Sequence, residues 1–82
     1  LTEDARPSSA LLSRLFGLAP SEAMLAILLS EGMTLREAAG QLGITENSVR
    51  TYSKRLFMKM GVRRQADLVR VVLRSVAMFG VK

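Results

Sequence analysis

Apolar residues recur along the chain at helical spacing, and short segments built on glycine, proline or a hydroxyl side chain separate the runs. Leu11, Leu12, Leu15 and Phe16 form the first group; Ser8 or Ser9 can cap a short helix there, and Gly17 supplies its stop. The polar stretch from Thr2 to Ser9, which contains Pro7, reads as a linker. A second helix is predicted from Pro20, whose missing N–H costs nothing in a first turn, to a break at Glu31–Gly32. Met24, Leu25, Leu28 and Leu29 give it one apolar face, and Glu22 lies near its positive end.

Thr34-Leu35-Arg36-Glu37 is a capping box, in which the threonine side chain accepts from the third helical N–H and the glutamate reaches back. The helix it starts carries Leu35, Ala38, Ala39 and Leu42, with Ala39 and Gly40 small enough for a close neighbour. Gly43 suits the left-handed conformation that ends a helix sharply, and Thr45 caps the next helix two residues later. From Thr45 to Met60 the residues Val49, Ser53, Leu56, Phe57 and Met60 share one side. Asn47, Arg50, Thr51 and Lys54 share another, at i, i+3, i+4 and i+7. Such a rod is about 22 Å long, and Gly61 is its expected stop.

The last helix is predicted from Arg64 or Gln65 to about Met78. Leu68, Val69, Val72 and Val76 make one apolar face, and Val71, Ser75 and Met78 make a second. A terminal helix has one core to cover, so the second strip points to a partner, most simply another copy of the chain.

Charge sharpens this picture. The net charge is +5, but the residues up to Ile44 are slightly acidic, whereas Thr45 to Arg64 hold six basic residues and one acid. Such clustering is the footprint of a phosphate-binding surface, set against the plainer reading of a solvated helix face. Cysteine, histidine and tryptophan are absent. Most zinc sites and nucleophile–base pairs are thereby excluded, the acids are scattered, and neither enzyme activity nor a metal or cofactor is expected. No apolar run reaches the ~18 residues that span a bilayer, and no signal peptide is visible. A cytoplasmic chain without a membrane partner is expected; because it begins at Leu1, it is also expected to be a piece of a longer protein.

Two short helices joined by a tight glycine turn, the second long and basic, form a helix-turn-helix pattern. The major groove is wide enough to admit the second helix, Arg and Lys can donate to guanine O6 and N7, and helix starts at Thr34 and Thr45 can face phosphate. The cap or the basic face alone is common; their order carries the inference.

The stretch from Leu18 to Leu73 resembles the LuxR-type (GerE-type) DNA-binding domain of bacterial transcription regulators. The resemblance rests on Pro20-Ser21-Glu22, the EGMTLREAAGQLGIT block, SVR, and KMGVRRQADLV, together about two-thirds of the chain. It implies an all-α, four-helix helix-turn-helix domain over residues 17–80, preceded by a linker and a short additional helix in residues 1–16. The third helix of that domain, residues 46–60, would read the major groove of double-stranded DNA, and the fourth would form a homodimer through Val71, Ser75 and Met78. Carried over position by position, base contacts fall on Arg50, Thr51 and Lys54. Phosphate contacts fall on Thr34, Thr45, Asn47, Ser48, Arg55 and Lys59. The resemblance also implies RNA polymerase as a further partner and an upstream sensory domain. The chain departs from the family pattern with Ala19 in place of a threonine cap, Arg64 in place of a Ser or Asn cap, and Tyr52 in place of a histidine. Two rival readings are region 4 of a sigma factor, which lacks a counterpart to KMGVRRQADLV, and a protein-interaction or membrane-surface module using the basic and valine-rich helices.

Overall fold

Five α-helices account for most of residues 9–79, the part of the chain that the computed structural model describes. They are α1 (Ser9–Phe16), α2 (Pro20–Ser30), α3 (Leu35–Leu42), α4 (Glu46–Met60) and α5 (Gln65–Phe79). The chain is all-α, as its periodicity predicts, and no strand occurs among the described residues.

The architecture is organised around α2. Its pattern predicts one apolar face, yet Glu22, Ala23, Leu25, Ala26, Ile27, Leu28 and Leu29 are all buried. A helix apolar nearly all round is stable only when covered on most sides, and α1, α3, α4 and α5 all pack against it. Each covering helix contributes a stripe: Leu12 from α1, Ala38 and Ala39 from α3, Val49, Leu56 and Met60 from α4, Leu68 and Val72 from α5. A fully buried Leu or Val contributes about 1.5–3 kcal/mol, so the stripes outweigh the modest intrinsic stability of eight- to fifteen-residue helices. Leu12 is fully buried in the shared core, so α1 packs as part of the domain. Residues 1–8, which hold most of the expected linker, lie outside the described residues.

Helix ends follow the predicted chemistry. Gly43 and Gly61 both take φ 70°, and the N–H groups of Ile44 and Val62 turn back to the carbonyls of Ala39 and Phe57 at 3.1 and 3.0 Å. These bonds satisfy helix-terminal carbonyls that would otherwise lack partners. Gly40 corrects an expectation: it is exposed, and a Cβ placed there would meet nothing within 4 Å, so it serves no close helix approach.

Of the expected second face of α5, Ser75 and in part Val71 turn inward. Ser75 is only 7% exposed and donates its hydroxyl to the Val71 carbonyl at 2.9 Å, while Val71 is half-buried against the core. The side chains of Val76, Met78 and Phe79 lie outside the described part of the structure. Residues 68, 72 and 75 share a side at helical spacing, which draws 71 partly inward. The outward strip is Ala66, Arg70, Leu73 and Ala77, bordered by half-buried Val69. No single helix among the described residues is long and apolar enough to cross a membrane.

Candidate nucleic-acid interface

The capping box at Thr34 is complete. Thr34 Oγ1 accepts from Glu37 N at 3.1 Å, and Glu37 Oε1 accepts from Thr34 N at 2.9 Å. After α3, the left-handed Gly43 reverses the chain and half-buried Ile44 packs on the core. Thr45 then caps α4, accepting from Ser48 N at 3.1 Å and donating to Ser48 Oγ at 3.0 Å. Ala38 and Ala39 face the core that holds Val49, so α3 and α4 meet at their small residues and the turn fixes how α4 leaves the body.

Asn47, Arg50, Thr51 and Lys54 all face solvent on one side of α4, opposite Val49, Leu56 and Met60. Thr51 donates its hydroxyl to the Asn47 carbonyl at 3.2 Å, and Arg50 Nη2 lies 2.7 Å from Glu46 Oε2. Met58 extends this face by one turn and is 78% exposed, a prominence that the helical pattern alone did not single out. Tyr52 is half-buried against the core, away from this face. Thr34, Thr45, Asn47 and Arg55 are exposed and Ser48 is half-buried. Arg63 and Arg64, just beyond α4, are exposed as well and enlarge the basic surface.

Lys59 is placed differently from the other expected phosphate residues. Its Nζ donates to Glu22 Oε1 at 2.8 Å, and the same oxygen accepts from Ala19 N at 2.9 Å. The Glu22 side chain is 5% exposed and that of Lys59 40%. Burial pushes the Glu22 carboxyl up. The Lys59 hydrogen bond, the Ala19 N–H and the positive charges of Lys59 and Arg55 together outweigh it, leaving the group below its ordinary range. Ala19 has no side-chain oxygen to cap α2, so Glu22 supplies only the returning half of a capping box. A second tie lies at the start of α5. There Gln65 Nε2 donates to the carbonyls of Leu29 and Met33 at 2.9 and 3.0 Å, joining α5 to the end of α2 and the turn that follows it. Both ties join residues more than thirty positions apart, which helical periodicity does not reveal.

Among the described residues no group of acidic side chains is suited to hold a metal ion. Comparison with curated proteins and with solved structures gave no match. A family model described as bacterial regulatory proteins, luxR family, matches residues 18–72. The chain belongs to that family, and these residues form its DNA-binding helix-turn-helix domain.

Proposed function

We propose that this luxR-family domain binds duplex DNA by laying α4 in the major groove, as the output domain of a longer transcription regulator. The observation that carries this reading is the exposure of Asn47, Arg50, Thr51 and Lys54 on one face of a helix whose opposite face is fixed in the core. Arg50, Thr51 and Lys54 are the base-reading residues, with Arg and Lys directed to guanine and the threonine methyl to thymine. Thr34, Thr45, Asn47, Ser48 and Arg55 hold the backbone, partly through N–H groups at the starts of α3 and α4. The unit that does this is residues 17–80 with α1 docked on it. Two copies pair through α5, a sensory domain upstream governs the activity, and RNA polymerase receives the output.

Titration of a labelled duplex and, separately, of anionic phospholipid vesicles tests the proposal. The expected outcome is saturable duplex binding whose logarithmic affinity falls linearly with the logarithm of salt, by about 0.9 per phosphate neutralised. Vesicle binding with indifference to duplex would replace this reading with a membrane-surface one.

A further inference from the structure

Glu22 is a charged side chain buried beside the apolar core, and a buried carboxylate is costly unless paired and hydrogen-bonded. Its two partners come from different places: the N–H of Ala19 just before α2, and Lys59 in the last turn of α4. The charged groups acting on it are Lys59 and Arg55, one turn apart on the edge of α4 that faces α2. The other edge of α4 is held through the α3 turn and the Thr45 cap. The far half of α4 is seated in the core by Leu56 and Met60, and the Lys59–Glu22 ion pair is the polar link that ties it to the start of α2.

We propose that Lys59 is a positioning residue: fastened to the buried Glu22 carboxylate, it sets the tilt and rotation of α4 against α2, and hence which base pairs Arg50, Thr51 and Lys54 reach. This inference rests on the DNA-binding reading above and removes Lys59 from the phosphate contacts that the family pattern implies. An ammonium group 2.8 Å from a buried carboxylate loses that bond if it turns to a phosphate, and the carboxylate is then left buried without its main counter-charge. Charge neutralisation inside the domain takes precedence.

The experiment compares the full chain with Lys59→Met, Lys59→Arg, Glu22→Gln and the double variant Glu22→Gln/Lys59→Met. Each is titrated against a duplex selected by the parent from a random pool, and against the pool itself, across a salt series. Positioning predicts that Glu22→Gln and Lys59→Met each reduce the preference for the selected duplex by about 2- to 30-fold. It predicts that Lys59→Arg retains the preference and that the double variant loses no more than either single one, because both remove the same link. In Lys59→Met the buried carboxyl keeps its desolvation but loses its main partner. Its pKa therefore rises, and acidification neutralises the unpaired buried charge at higher pH than in the parent, so the stability of this variant gains as pH falls, a gain that the double variant lacks. A salt slope lowered by about 0.9 in Lys59→Met with the preference intact, or tighter binding to all duplexes in Glu22→Gln, would return Lys59 to the phosphate contacts and overturn the proposal. Backbone amide NMR supplies an arm without DNA. Positioning requires that Glu22→Gln/Lys59→Met move the amide signals of α4 as far as Arg50 and Thr51, and shifts confined to one turn around each substitution overturn it. Failure of the parent to bind any duplex defeats the DNA-binding reading, while the NMR arm still decides whether the pair orients α4.

Discussion

Arg50 rests against Glu46 across one helical turn, with side-chain exposures of 59 and 44%. An exposed pair of this kind contributes only about 0.3–0.5 kcal/mol, whereas a bidentate arginine–guanine contact discriminates by about 1–3 kcal/mol. Under the proposed base-reading role the guanine contact is the stronger of the two, and it draws the guanidinium off Glu46. Replacing Arg50 with Ala should therefore weaken binding to a cognate site by about 1–3 kcal/mol and relax the preference at one base pair. Competition titrations with single-base variants of the site measure both effects. An equal loss on cognate and random duplex would make Arg50 a phosphate contact instead. The exposed placement of Arg50, Thr51 and Lys54 was legible because i, i+3, i+4 spacing determines which side chains share a helix face. The pairing of Lys59 with Glu22 was not, since it joins residues 37 positions apart in two helices whose packing sets the meeting.

At the scale of elements, two glycines separate what a helix needs from what a turn needs. Gly43 has φ 70° and ends α3, whereas Gly40 lies within α3, exposed, with open space where a methyl group would stand. The same substitution should thus act in opposite directions. Gly40→Ala removes the backbone-entropy cost of a helical glycine and should raise stability by about 0.5–1 kcal/mol. Gly43→Ala forces an L-residue into the left-handed region and should lower it by about 1–2 kcal/mol. Urea melts followed by circular dichroism resolve both, and a stabilised Gly43→Ala would show that the turn relaxes to another conformation. Caps and stops were legible because Thr34, Thr45, Gly43 and Gly61 act through local hydrogen bonds and φ preferences. The extent of burial of α2 was less so: Ala23, Ala26 and Ile27 lie off its expected apolar face yet are inside, while Met24 on that face is 37% exposed, and only the packing of four other helices around α2 decides this.

For the whole molecule, the question is how one reading helix obtains enough specificity. The proposed second copy, linked through α5, would make binding at the second half-site intramolecular and raise avidity by about 10²- to 10⁴-fold without a new base contact. The surface able to pair is not the strip of Val71 and Ser75 that helical spacing suggested, because the core already holds Ser75 and half of Val71. For the proposed pairing through α5, the exposed surface is the strip around Leu73, which is 59% exposed, shared with Ala66, Arg70 and Ala77. The rotation of α5 against α2, fixed by Leu68, Val72 and the Gln65 tie, decides which strip faces outward. A twofold contact places Leu73 against or close to its own copy, so a charge there faces a like charge across the axis. Leu73→Asp should leave the fold stable to within about 0.5 kcal/mol, as expected of an exposed position, yet abolish the preference for two half-sites about 10 base pairs apart. Footprinting on paired and single half-sites, with a melting curve on the same sample, measures both. If Leu73→Asp protects paired half-sites as well as the parent does, the exposed strip of α5 is not the surface that joins the two copies.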